Sequence, residues 1–296
     1  MNMLHKCRVR GFRLLQRAGV HVVPNHFYEP VPDTRSIPEE FWDSPSRLVG
    51  IDLNEPAQLS LLEEYCSRFK VEFDGFHMAE PTPTDQFSLA NKSFGAVDAE
   101  ILYCMIRRFK PSKVLEVGSG NSTLVSRDAI LKNSSEMGRQ AELISIEPYP
   151  NAIIARGFPG LTRVIKAPVQ IVPLSEFEAL EENDILFIDS SHVLKEASDV
   201  QFEYLEVVPR LKKGVIVHFH DIFLPFPYPK SWVLDGLRFW NEQYLLQALL
   251  AFNKSFEVLW AGNYMNRAHP EALQRAFASY KVNETVPGSF WVRRVS

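Results

Sequence analysis

Glu116, Gly118 and Gly120 sit in the run Lys113-Val-Leu-Glu-Val-Gly-Ser-Gly-Asn-Ser-Thr123, an apolar segment that breaks abruptly into a glycine turn. Glycine admits positive φ and lets backbone N–H groups approach a ligand, while Ser119, Asn121, Ser122 and Thr123 supply caps for a helix opening there. The pattern predicts a strand-to-helix junction that binds a small molecule. A dinucleotide fingerprint would place a third glycine where Thr123 stands, so a pyrophosphate is disfavoured. Glu116, at the strand end, would repel phosphate and attract an ammonium or a sulfonium. A cationic cofactor is expected, held by Glu116, Gly118, Ser119, Gly120 and Ser122.

Three further strand ends carry reactive groups. Leu143-Ile-Ser-Ile-Glu147 finishes on an acid roughly where open α/β sheets place the carboxylate that holds ribose hydroxyls, which makes Glu147 the expected ribose ligand. Ile185-Leu-Phe-Ile-Asp189-Ser190-Ser-His192 leaves an acid and an imidazole about one turn apart. Asp189 is in reach of a cofactor ammonium or a metal, and His192 of a substrate hydroxyl; a helix cap and a satisfied loop histidine are the structural alternatives. Gly214-Val-Ile-Val-His218-Phe-His220-Asp221 puts His218 and His220 on one face by alternation, with His220 and Asp221 at the strand end. His218 is read as a packed structural residue. An imidazole near neutral pH is a suitable general base, so His192, His220 and Asp221 are the catalytic candidates.

Over residues 91–296 the chain resembles the class I S-adenosylmethionine-dependent methyltransferases, whose first motif reads like Val-Leu-Glu-Val-Gly-Ser-Gly and whose second strand ends in an acid. Phe187-Ile-Asp189-Ser-Ser-His192 together with His220-Asp221-Ile-Phe-Leu-Pro225 is similar to a subgroup of small-molecule and sugar O-methyltransferases. The resemblance implies a Rossmann-like, doubly wound, mostly parallel sheet whose last strand, Phe290 to Arg293, inserts antiparallel. It implies S-adenosylmethionine as cofactor, with Asp189 and Ser190 beside it and Lys166 to Val169 near the adenine. The acceptor would be a small-molecule hydroxyl, with an amine as the near variant. Some relatives bind magnesium through two adjacent acids after the fifth strand and one after the fourth. Here the pair is His220-Asp221, and a nitrogen replaces one hard oxygen ligand, which weakens the case for magnesium. Asp189, His220 and Asp221 are the candidate ligands of a divalent metal. Two other readings are a non-catalytic protein that kept the cofactor pocket and a nicotinamide oxidoreductase; His192 and His220-Asp221 weigh against the first, Thr123 against the second.

The elements that must position these residues recur as apolar runs with helical or loop intervals: Lys113–Val117, Leu143–Glu147, Arg163–Ile165, Asp184–Asp189 and Gly214–Phe219. That alternation predicts a parallel α/β sheet, and Phe256–Trp260 and Ser289–Arg293 add two late strands. A helix over Ala96–Phe109 should pack on it. Residues 1–90 are expected to form an N-terminal cap: a basic segment with Lys6, Arg8, Arg10, Arg13 and Arg17, read as a short helix docked through Leu4, Leu14, Leu15 and Val20, with an organelle-targeting segment or a membrane-surface helix as the alternatives; a proline- and aromatic-rich stretch over 22–56; and an amphipathic helix over 57–70. Leu224 to Trp232 alternates prolines and aromatics and reads as a wall or lid over the acceptor.

With 296 residues and 46% hydrophobic content the chain can bury one large core, and a net charge of −4 with both signs interspersed excludes a general attraction to nucleic acid or anionic membrane. Cys7, Cys66 and Cys104 are widely spaced and odd in number, which suggests free thiols in a reducing, cytoplasmic setting. A small-molecule acceptor is the expected partner; oligomeric state has no signal.

Overall fold

The computed structural model describes residues 3–79, 85–91 and 93–296, with the side chains of residues 3–8 outside that description. Seven strands form one sheet in the order β3-β2-β1-β4-β5-β7-β6. They are β1 Lys113–Val117, β2 Glu142–Ile146, β3 Arg163–Ile165, β4 Ile185–Ile188, β5 Ile216–Phe219, β6 Phe256–Ala261 and β7 Phe290–Arg294. Strands β1 to β5 pair in parallel. β7 enters antiparallel between β5 and β6, as the resemblance implied. Winding therefore reverses between β1 and β4, and the crevice at their carboxyl ends is where an open α/β sheet binds ligands.

Alternation distributes the core over both faces. Val114, Leu143, Ile185 and Phe187 join one apolar cluster, and Leu115, Ile144, Leu186 and Ile188 the other. The first face is covered by α2 (Glu55–Phe73), α3 (Asp98–Phe109) and α4 (Asn121–Met137). Arg107 on α3, almost fully buried, ties the three together: its guanidinium donates to Glu72 on α2 at 2.7 Å and to Glu136 on α4 at 2.7 Å. A buried arginine persists only with such partners, because an unpaired charge in low dielectric costs several kcal/mol. Gln58 fixes α2 to the sheet edge, donating to the Leu53 carbonyl and accepting from the Ala261 N–H at the end of β6.

Strand ends differ from the apolar runs where a polar group has local work. Asp184 is not in β4, because its Oδ1 accepts from the N–H groups of Ser112 and Lys113 at 2.8 Å and so caps the start of β1. Gly214 precedes β5 at φ +90. The basic helix α1 (Met3–Arg17) departs from expectation more strongly: Leu14 is 68% exposed and Val20 49%, and no residue from 9 to 47 is buried. Leu14, Leu15 and Val20 thus do not dock into the protein surface, since no complementary apolar face is presented to them; Leu4 lies outside the described side chains. The stretch 22–56 holds two short 3-10 turns, Thr34–Ser36 and Glu39–Asp43, and otherwise irregular backbone as far as residue 54, its last two residues opening α2. Cys66 and Cys104 are free thiols. No described helix is long and apolar enough to cross a membrane.

Candidate active site at the carboxyl edge of the sheet

The glycine turn follows β1 directly. Gly118 has φ +80, and a Cβ there would lie 1.9 Å from the Asp189 carbonyl oxygen, so this position admits glycine alone. The close approach brings the end of β1 against the end of β4, where the Asp189 N–H donates to the Val117 carbonyl. Gly120 is different: its backbone is extended at φ 178, so the left-handed conformation expected for it is not required, and a Cβ there would meet nothing within 4 Å. That open space lies at the mouth of α4. Of the cap candidates, Thr123 takes the role, its Oγ1 accepting from the Gly120 N–H at 3.0 Å.

Glu116 is fully buried beneath the turn, one oxygen accepting from the Ser122 hydroxyl at 2.6 Å and the other, Oε2, without a partner. Burial outweighs that hydrogen bond and pushes its pKa up to about 8, with the charges of Asp189 and Glu147 adding to the rise. The Ser119 hydroxyl in the turn is likewise buried without a protein partner. Glu147, half-buried just past β2, accepts from the N–H groups of Ser119 at 3.3 Å and Tyr149 at 2.8 Å. Gly118, Glu147, Asp189 and Ser190 all line one cavity of about 390 Å³, whose far wall includes Pro168 and Val169; the expected ligands Glu116, Ser119, Gly120 and Ser122 are not among its lining residues. The residues fit a cofactor with a cationic end and vicinal hydroxyls.

A second cavity, of about 500 Å³, is walled by Asp189, His220 and Asp221. One donor atom from each of these three lies within 4.8 Å of the others. His192 closes the group from behind: its Nε2 is 3.4 Å from Asp189 Oδ1 and 3.5 Å from Asp221 Oδ2. Its Nδ1 is 2.8 Å from Glu242 Oε2, and the Tyr204 hydroxyl donates to Glu242 Oε1 at 2.9 Å. Glu242 therefore accepts on both oxygens, and His192 carries a hydrogen on Nδ1. Burial opposes charge on both imidazoles, yet the surrounding carboxylates prevail: Asp189 and Glu242 raise the pKa of His192, and Asp189, Asp221 and Asp98 that of His220. His192 and Asp221 hold φ of +62 and +54, sparsely populated for non-glycine residues and costing of order 1–3 kcal/mol each. The His192 carbonyl accepts from the N–H groups of Asn241 and Glu242, which fixes that turn to the start of helix Glu242–Leu250.

His218 lies one layer deeper. It is fully buried, stacked 3.9 Å from the Phe187 ring and 3.1 Å from the Ser289 hydroxyl, and burial drives its pKa well below the usual value. Sequence reasoning missed Glu242, Tyr204 and Asp98. Asp98, at the start of α3, accepts from the N–H groups of Gly288 and Ser289, in the loop packed against Asp221. No local pattern announces these acids. Ser190 donates to the buried Glu203 at 2.9 Å, within a single π-type turn Glu203–Val207 that also carries Tyr204. The proline-aromatic loop contributes Trp232 to the second cavity, and Pro227 and Tyr228 to a third, apolar groove of about 470 Å³ shared with Pro38, Phe41 and Trp42.

Residues 115–222, β1 through the residue after Asp221, match the family described as "Methyltransferase domain". An uncharacterized protein of Archaeoglobus fulgidus is 33% identical over 183 residues, covering 60% of this chain and 81% of that protein. Among solved structures, an SAH-bound methyltransferase of Podospora anserina is similar at 18% identity and a TM-score of 0.44, over 94% of this chain and 100% of that one. An O-methyltransferase of Bacillus cereus in complex with SAH is similar at 14% identity and a TM-score of 0.39, over 79% and 90%. The domain match falls on the strand ends that carry the glycine turn, Glu147, Asp189 and His220-Asp221. The chain belongs to the same family as the archaeal protein, and its residues 115–222 form a methyltransferase domain.

Proposed function

We propose that this methyltransferase acts on a hydroxyl oxygen of a small, ring-bearing molecule, with His220 as the proton acceptor and Asp189 and Asp221 as its electrostatic frame. The convergence of those three side chains on one cavity wall supports the reading best. An amine attacks with its own lone pair, whereas a hydroxyl must lose a proton, so a buried acid–imidazole cluster favours oxygen over nitrogen. Bound in the adjoining cavity, the cofactor supplies an electrophilic methyl group on a sulfonium. Glu147 would hold the ribose hydroxyls, Asp189 would face the ammonium end with the charge of Glu116 acting on it from beneath the glycine turn, and Gly118, Ser119, Gly120, Ser122 and Ser190 would shape the bed. His192, clamped by Glu242, keeps the two aspartates in place. Most of the acceleration would come from alignment of the two reactants, with the base adding roughly 10²–10⁴-fold. Residues 1–90 would serve as a cap whose proline-aromatic stretch closes one side of the acceptor groove.

The same donors support a second reading. Two carboxylates and an imidazole fit a divalent ion of borderline type, such as Mn²⁺ or Zn²⁺, better than Mg²⁺. Held by Asp189, His220 and Asp221, it would supply Lewis acidity that lowers the pKa of a hydroxyl.

Formation of S-adenosylhomocysteine, measured with paired ring-bearing hydroxy and amino compounds, is the direct test. Hydroxyl acceptors should be turned over, and His220→Gln should lower kcat by about 10²–10⁴-fold. Turnover of amines alone, or an undiminished His220→Gln enzyme, would refute the proposal. Chelation distinguishes the two readings, since activity lost to EDTA and restored by Mn²⁺ selects the metal. Calorimetry with S-adenosylhomocysteine tests the cofactor side: Glu147→Ala should weaken binding by about 1–3 kcal/mol, the cost of two hydroxyls left without an acceptor.

A further inference from the structure

Arg238 stands at the junction of the apolar groove and the cavity that holds His220, in the wall of both. Its guanidinium carbon lies 4.6 Å from the Trp232 ring centre and 5.0 Å from that of Trp240. The two indoles are nearly perpendicular, at 81° and 5.4 Å, and the Arg238 N–H donates to the Trp232 carbonyl at 2.9 Å. The side chain is therefore exposed yet held. Among the described residues it has no carboxylate partner within 4 Å, although the charged groups that share its polar cavity include Asp98, Asp189, Asp221 and Glu284. Trp240 also packs 4.4 Å from the His192 ring, so one indole separates the guanidinium from the acid–imidazole cluster.

We propose that Arg238 selects the acceptor by receiving an anionic oxygen group, a carboxylate or a phosphate, while the acceptor's hydroxyl faces His220 across the cavity that both residues line. The inference rests on the reading of His220 and the two aspartates as the reaction centre and names the substrate class of that site. A guanidinium stacked on an aromatic face keeps its N–H edge free in the plane, the geometry suited to bidentate contact with carboxylate or phosphate. The field around it sets orientation. An anion cannot sit among Asp189, Asp221 and Asp98, where like charges repel it, but it is attracted to the one cation among the described residues lining the groove. An acceptor with a hydroxyl at one end and an acid at the other then enters in one direction. A neutral acceptor would have no such bias. Arginines that only cover tryptophan rings would show no preference for acids, and this difference is measurable.

The experiment is calorimetry on the full chain saturated with S-adenosylhomocysteine, using 4-hydroxybenzoate, 4-hydroxyphenyl phosphate and the neutral 4-hydroxybenzamide. At least one acid should bind tenfold or more tightly than the amide, and the better acid identifies the anion. Arg238→Met, which still covers the indoles, should abolish the preference, and Arg238→Lys should keep part of it. Equal affinity for acid and amide, absence of binding by all three, or a preference that survives in Arg238→Met would overturn the proposal. The affinity for S-adenosylhomocysteine, read in the same preparations, reports on the cofactor side, and the kcat of His220→Gln reports separately on the reaction centre.

Discussion

Glu116 illustrates how a side chain can be read correctly as a type and wrongly as a posture. Its place before Gly118 suggested a carboxylate presented to a cation at the strand end. The structure instead buries it under α4 as an acid with a pKa of about 8, bonded to Ser122 through one oxygen only. A neutral acid waits for charge: an ammonium or sulfonium nearby would favour the ionised form and expel the proton. At pH 7 binding of S-adenosylmethionine should therefore release close to one proton from this group. Calorimetric enthalpies in buffers of different ionisation heat measure that release, and Glu116→Gln should remove most of it. Buffer-independent enthalpies in the wild-type chain would detach Glu116 from the cofactor. The burial was hidden in the sequence because it depends on Ser122 and α4 folding back over β1. Gly118 was legible, since no other residue tolerates both its φ and the Asp189 carbonyl at its back. Gly120 looked equivalent in sequence and is not, because its φ of 178 is open to any residue.

Elements were legible where a run of residues shares one environment. β1 and β3 coincide with their apolar runs, β4 and β5 start a residue or two later where Asp184 or Gly214 performs a local backbone task, and β2, β6 and β7 are displaced or extended by one residue. The antiparallel insertion of β7 had no local signature and came only through the family resemblance. The partner of His192 was illegible for a similar reason. Glu242 lies 50 residues further on and meets the imidazole only because the His192 carbonyl anchors the start of helix Glu242–Leu250. The π-type turn Glu203–Val207 brings Tyr204 to the same carboxylate, an irregularity of a kind that recurs at functional sites. This arrangement predicts the outcome of Glu242→Gln. An amide cannot accept on both sides, so one of the donors, His192 Nδ1–H or Tyr204 O–H, must face an N–H₂ group. Stability should fall by about 1–3 kcal/mol, the cost of a buried unsatisfied group. Turnover should fall by about 10–100-fold, typical when a group that orients a functional ligand is lost. Thermal melting and kcat measured together check both; a variant with normal kcat would show that His192 needs no orientation.

At the scale of the whole molecule, a net charge of −4 conceals where the acids lie. Glu100 and Glu116 are both buried, and burial raises their pKa values to about 7 and about 8. An acid whose folded pKa lies above its unfolded one binds more protons in the native state between those two values, so stability falls as pH rises through that window. Here the window runs from about 4.5 to about 8. Raising Glu116 from 4.5 to about 8 corresponds to at most about 5 kcal/mol, and raising Glu100 from 4.5 to about 7 to at most about 3 kcal/mol. Surface acids act in the opposite sense at lower pH: arginines hold Glu64 and Glu72 below their usual values, so their contribution is lost as pH falls below about 4.5. The free chain should thus be most stable near pH 5 and lose melting temperature steadily towards pH 8. Burial raises Glu203, Asp98 and Asp221 in the same sense, so Glu116→Gln, which removes one of these titrations, should make that decline shallower without abolishing it. Saturating cofactor should stabilise the wild-type chain more at pH 8 than at pH 5, because ionised Glu116 then meets a cation and binding linked to the native state adds to stability. Melting curves at four pH values, with and without S-adenosylmethionine, decide it: a flat or rising profile for the free chain would mean that these acids are solvated in the native state and that the niche under α4 is wet.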